Sequence, residues 1–147
     1  MKAITHTPAE PYDVPIGKAA ILREGTDVTI VGPSWPVHLA LAAADGLAEQ
    51  GVSAEVIDLR SLVPLDKECI LNSVRKTGRL VVVDDDYQSF GVTGEIIAIA
   101  ASEAFDSLKA APQRVAHPDI PVPFARPMEQ FALPNKDKIV ASVRATL

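Results

Sequence analysis

The run Leu80-Val81-Val82-Val83 is apolar at every position and stops at Asp84-Asp85-Asp86. A strand with one wet face alternates apolar and polar residues, so an unbroken β-branched run marks a strand covered on both faces, as at a central parallel position. From Ala19 onward, short β-rich runs alternate with longer helical ones, the pattern of an α/β layered fold. The predicted strands are Ala19–Arg23, Asp27–Val31, Ala54–Asp58, Leu80–Asp84 and Arg114–Ala116. Only Glu24-Gly25-Thr26 separates the first two. That connection is too short for a parallel crossover and fits a hairpin, so strand one should run opposite to strand two. Helices separate the later strands, which should be mutually parallel with right-handed crossovers, giving a mixed sheet.

Four helices are expected. The first, about Pro36 to Gln50, puts Val37, Leu41, Ala44 and Leu47 on one stripe, with Ser34 as N-cap and Gly51 followed by apolar Val52 as its stop. The second starts at Asp66, an N-cap flanked by a Leu65/Ile70 hydrophobic staple, and ends at Gly78. The third, about Thr93 to Leu108, shows Ile97, Ala101, Ala104 and Leu108 on one face. The fourth begins at Asn135 and carries Ile139, Val143 and Leu147 inward.

The segment Pro118 to Pro134 breaks this rhythm, because its five prolines sustain neither a helix nor a central strand. Yet Ile120, Val122, Phe124, Met128, Phe131 and Leu133 are too apolar to be left in water. The segment is therefore expected to lie along its own domain or another subunit, and an ordered stretch of this kind is more often functional than accidental.

At 147 residues the chain has a one-domain length and needs neither disulfide nor metal to hold a core. A net charge of −5, with scattered basic residues, lacks the footprint of nucleic-acid binding. The apolar runs are shorter than the roughly 20 residues of a bilayer span. Residues 1–13, with Pro8 and Pro11 among acids, read as an extended lead-in rather than a signal peptide, and a cytoplasmic location is expected. Cys69, the only cysteine, reads as a small core residue.

Four features invite a chemical reading. Asp84-Asp85-Asp86 stands where open α/β sheets place ligands, but only Asp58 joins it at other strand ends, so a solvated or salt-bridged strand end is the better reading than Mg²⁺ binding. Gly91-Val92-Thr93-Gly94 matches no phosphate fingerprint, and Glu95 would oppose an anion, so close packing of a helix start is expected. His6, His38 and His117 share no metal spacing; His117, just past a strand, is the best placed for catalysis. Ser34 in Gly32-Pro33-Ser34-Trp35-Pro36 is not a hydrolase elbow. No catalytic, cofactor-binding or metal residue is assigned.

Several phrases together resemble the C-terminal domain of transketolase-like enzymes, most closely the beta subunit of the pyruvate, branched-chain 2-oxo acid and acetoin dehydrogenases. They are Val14-Pro15-Ile16-Gly17-Lys18-Ala19, Arg23-Glu24-Gly25-Thr26-Asp27-Val28-Thr29-Ile30-Val31, Ala54-Glu55-Val56-Ile57-Asp58-Leu59-Arg60-Ser61-Leu62-Val63-Pro64-Leu65-Asp66, Lys76-Thr77-Gly78-Arg79-Leu80-Val81-Val82-Val83-Asp84, Pro118-Asp119-Ile120-Pro121-Val122-Pro123-Phe124 and Leu133-Pro134-Asn135. The likeness runs over residues 14–147. It implies a three-layer α/β/α sandwich with a five-stranded mixed sheet, strand one antiparallel. It also implies thiamine diphosphate and magnesium in the complete enzyme, with none bound by this chain alone, since the family places those sites in the alpha subunit and the beta subunit's N-terminal domain. No Gly-Asp-Gly with a downstream asparagine occurs here, and residues 1–13 leave no room for a pyrimidine-binding domain.

The partners so implied are a second beta subunit, the alpha subunit and the binding domain of the lipoyl acyltransferase. Pro121, Val122, Pro123, Phe124, Arg126, Pro127 and Phe131 are the candidate contact residues. Ser89-Phe90-Gly91 departs from the Gly-Gly of many relatives, and the chain reads either as a fragment of a longer beta subunit or as a naturally split one. Two other readings stand beside this one: a free-standing flavodoxin-like module binding a small anion or nucleotide, and the C-terminal domain of a transketolase or deoxyxylulose phosphate synthase.

Overall fold

The structure, a computed structural model, describes residues 9–147. The expectations for His6 and for the first eight residues of the lead-in lie outside them. Five strands are present: β1 (Ala20–Arg23), β2 (Val28–Gly32), β3 (Ala54–Asp58), β4 (Leu80–Tyr87) and β5 (Gln113–His117). They form one sheet in the order β1-β3-β2-β4-β5, with β1 antiparallel to β3 and all other pairs parallel. The helices are α1 (Pro36–Ala48), α2 (Lys67–Thr77), α3 (Val92–Glu103), α4 (Arg126–Ala132) and α5 (Lys136–Arg144), with a 3-10 turn at Phe105–Ser107.

The apolar run behaves as its composition demands. Val81 and Val83 face a core shared with α1 and α5, while Leu80 and Val82 face a second core shared with α2 and α3. All four are fully buried. At about 1.5–3 kcal/mol per buried side chain, this strand alone gains several kcal/mol from being covered on both sides. The result is the expected α/β/α sandwich.

The hairpin expectation is corrected. β1 does run opposite to β2, but β3 lies between them, so β1 pairs with β3 through Ala20↔Asp58 and Ile21↔Ile57. The short connection passes across the start of β3, where a Cβ on Gly25 would stand 2.2 Å from the Ala54 carbonyl carbon and the Glu55 nitrogen. Only glycine permits that approach.

Most helix boundaries follow the local signals. Asp66 caps α2 by accepting from the Cys69 amide, and Gly78 ends it at φ 76°. Gly51, at φ 80°, closes α1, with the Val52 amide returning to the Leu47 carbonyl. Asn135 caps α5. Ser34 does not cap α1: it adopts φ 55°, Trp35 takes the cap position, and no side chain supplies a bond. Within the proline-rich segment α4 does form, because Pro127 occupies the first turn, where proline's missing N–H costs nothing.

The buried faces also shift. α1 buries Val37, Ala40, Ala43, Ala44 and Leu47, with Leu41 only half-buried. α3 buries Thr93, Ile96 and Ala100 rather than the Ile97/Ala101 stripe, and it stops at Glu103. α5 buries Ile139 and Val143, while Leu147 is exposed.

Candidate interaction surface

The C-terminal ends of β4 and β5 carry the most unusual surface of the domain. β4 continues through the acidic triplet to Tyr87, which pairs with His117. Beyond it the Gln88 amide donates to the His117 carbonyl at 2.7 Å, and Arg114 Nη1 donates to the Gln88 carbonyl at 2.9 Å. Ser89 then binds Asp119 twice: its amide donates to Oδ1 at 3.1 Å and its hydroxyl to Oδ2 at 2.6 Å. The Ser89 hydroxyl and amide hold the Asp119 carboxyl below the usual aspartate range.

This pinned loop presents Phe90 in a left-handed conformation, φ 62°, with its side chain 108% exposed. Gly91 must be glycine, since a Cβ there would lie 2.2 Å from the Tyr87 carbonyl oxygen. The expected close packing of the helix start is thus found at Gly91, but Gly94 meets only Arg114 Nη1 at 4.0 Å.

The neighbouring segment continues the apolar surface. Phe124 is 104% exposed and Phe131 80%, with Ile120, Val122 and Met128 also exposed. Of the seven residues singled out in sequence, Pro121, Val122, Phe124, Arg126, Pro127 and Phe131 are exposed and Pro123 is half-buried. α4 buries only Ala132. Its C-terminus is held by Lys138, whose ammonium donates to the Phe131, Ala132 and Leu133 carbonyls and lies 5.7 Å from the Phe131 ring centre. Burial pushes the Lys138 ammonium below the usual lysine range.

Tyr87, Ser89, Phe90, Asp119, Ile120 and Pro121 line an open groove of about 620 Å³. Sequence reasoning named Pro121 as a contact residue and Ile120 only as part of the apolar segment, and it missed Tyr87, Phe90 and the Ser89–Asp119 tie. A phenylalanine directly before a glycine that opens a helix was the available signal.

The chemical candidates resolve differently. His117 is buried; its Nδ1 donates to the Pro118 carbonyl at 2.6 Å, its ring stands edge-on to Tyr87, and Nε2 is sealed from solvent without a partner. A sealed ring nitrogen cannot reach a substrate. In the triplet, Asp85 and Asp86 are exposed, but Asp84 is buried, and that burial pushes its carboxyl up. The solvated strand-end expectation therefore holds for two of the three. Among the described residues no three His, Cys, Asp or Glu side chains converge as a metal cage, and no helix is long and apolar enough to cross a membrane.

The topology, with an antiparallel edge strand joined to four parallel ones, and the match of residues 17–139 to the family described as Transketolase, C-terminal domain, place the chain in that family, to which it belongs. Among its relatives are pyruvate dehydrogenase E1 component subunit beta-1 of Arabidopsis thaliana, a mitochondrial protein, and 2-oxoisovalerate dehydrogenase subunit beta of Bacillus subtilis. The first is 53% identical over 91% of this chain and 37% of its own length; the second is 42% identical over 93% and 42%. The beta subunit of acetoin:2,6-dichlorophenolindophenol oxidoreductase from Cupriavidus necator is 44% identical over 95% of this chain and 41% of its own. The chain thus spans less than half the length of these relatives. A solved "split gene transketolase, inactive beta4 tetramer" superimposes with a TM-score of 0.80 at 27% identity, covering 92% of this chain and 44% of that one. The resemblance read from the sequence is borne out, both in the fold and in the dehydrogenase beta-subunit relatives.

Proposed function

We propose that the chain is the C-terminal domain of the beta subunit of a thiamine-diphosphate-dependent 2-oxo acid dehydrogenase and acts as its assembly module. Residues 14–147 form the module and residues 1–13 lead into it. Its partners are a second beta subunit, the alpha subunit and the binding domain of the lipoyl acyltransferase, and a cytoplasmic location belongs to the same reading. The carrying observation is the concentration of exposed Ile120, Val122, Phe124, Met128 and Phe131 on one ordered segment. Exposed apolar area of that kind is stabilised only by a covering partner. The beta-subunit relatives and the tetrameric structural neighbour support the reading.

Thiamine diphosphate and magnesium belong to the complete enzyme, and the described residues do not fit them. The three aspartates alternate along β4 instead of converging, and the turn opening α3 is closed by the Tyr87 carbonyl. No step of decarboxylation is therefore assigned to this chain. Two experiments test the reading. The purified chain with thiamine diphosphate, Mg²⁺ and pyruvate or 2-oxoisovalerate should release no CO₂; turnover would refute the non-catalytic role. Sedimentation should show association with itself or with the remaining subunits, and a monomer under both conditions would refute the assembly role.

A further inference from the structure

We propose that the cleft between β5 and the helices α4 and α5 is a binding site for a small monocarboxylate with an apolar tail, its carboxylate held by Arg114. This goes beyond the assembly reading and does not depend on it.

The cleft has a volume of about 460 Å³, within the roughly 300–1,000 Å³ of small-molecule sites. Val115, Ala116, Pro118, Phe131 and Ala141 give it apolar walls, and two cations, Arg114 and Lys138, border it. Neither cation forms an ion pair among the described residues. Asp119, the carboxylate that feels the Arg114 charge, is bound by Ser89 instead. Apolar walls beside uncompensated positive charge match a ligand that is anionic at one end and greasy at the other.

The two cations differ in what they have left to give. Lys138 commits all its N–H donors to the Phe131, Ala132 and Leu133 carbonyls, so it offers a positive field and no further bond. Arg114 spends one donor on the Gln88 carbonyl at 2.9 Å, and the rest of its guanidinium has no partner among the described residues. A guanidinium with free donors takes a carboxylate through two parallel hydrogen bonds. One free fork suits one small anionic head, not a polyphosphate, and the walls take the tail. The Gln88 carbonyl fixes the direction of the fork, which reduces the ordering cost of binding.

The test titrates the full chain with octanoate, butyrate, octanol and inorganic phosphate and follows the backbone amides by NMR. Octanoate should saturate, moving amides of β5 and of residues 131–142. Butyrate should bind at least tenfold more weakly, since each buried methylene contributes about fourfold. Octanol, without the charge, and phosphate, without the tail, should each lose at least tenfold as well. Arg114→Gln removes the fork and Ala141→Leu fills the cleft; each should weaken octanoate binding at least tenfold while keeping the wild-type melting temperature. No saturation by about 5 mM octanoate overturns the inference. So do shifts confined to other elements, octanol binding as tightly as octanoate, or unchanged affinity in either variant. Should a variant fail to fold, the comparison of octanoate with octanol and butyrate decides alone.

Discussion

Lys76, on the outer side of α2, donates its ammonium to Glu55, a β3 carboxylate with no exposed surface at all. Glu24 shares the same ammonium at 3.0 Å, and the Gly25 amide donates to Glu55 Oε2 at 3.3 Å. Burial pushes the Glu55 carboxyl up, but bonds from Lys76 first and then Ser73 outweigh it, so the group sits below the usual glutamate range. The bond to Glu55 in turn raises Lys76.

Removing the cation strands the acid. Lys76→Met should destabilise the domain by about 2–3 kcal/mol, less than the 3–5 expected of a wholly buried pair because Lys76 is 40% exposed. The sign of the pH effect follows from the lowered carboxyl: its contribution is complete above the ordinary glutamate range and is lost as pH falls through the folded-state value. Urea titrations of wild type and Lys76→Met from pH 7 to pH 3 should converge on the acid side. A gap that stays constant would show that the pair does not titrate as a unit.

Asp84 should behave in the opposite sense. Its carboxyl is raised by burial, against hydrogen bonds from the Asp86 and Asp85 amides and with help from their carboxylates. The folded state therefore binds the proton more tightly, and stability is lost as pH rises through the aspartate range. Asp84→Asn should raise the melting temperature at pH 7 by a few degrees, about 2–4 °C for each kcal/mol in a domain of this size, and flatten its pH dependence. A lower melting temperature would mean that the charge is used, not tolerated.

Asp66 serves two elements at once. One oxygen caps α2 at the Cys69 amide, and the other accepts from the Ala19 amide at 3.2 Å, just before β1. Asp66→Ala should cost about 1–2 kcal/mol, more than Asp66→Asn, which keeps the shape and one of the two acceptors. Equal losses would show that one retained acceptor contributes nothing without the other.

Lys138 is the main tie on α4. Lys138→Met should leave global stability within about 1 kcal/mol, since only Ala132 of α4 is buried. Amide exchange across residues 126–132 should accelerate nonetheless, because that helix opens locally once its three capped carbonyls lose their donor. Unchanged exchange would place the anchorage elsewhere.

The strands, the caps at Asp66 and Asn135 and the glycine stops at Gly51 and Gly78 were legible because each is a local rule with a local signal. Strand order was not. The three residues after β1 signal a reversal, but that β3 would enter between β1 and β2 is a tertiary outcome, and only Gly25 hints at it. α4 was not legible because a proline count alone argues against a helix, whereas Pro127 falls in the first turn, where proline is tolerated. The interface segment was legible from its mismatch between prolines and apolar residues, whereas Phe90 became visible only through its backbone angle and the Ser89–Asp119 tie. Glu55, one carboxylate inside an apolar strand, gave no sign of burial because its partner stands one helix away at Lys76.

The insertion of β3 beside β1 bears on the order of folding. The sheet bonds of residues 20–23 are all made with residues 56–58, so during synthesis β1 has no sheet partner until β3 has left the ribosome, although β1 comes first of the two. β1 thus forms the hem of the sheet, its place set by a strand that lies more than thirty residues downstream.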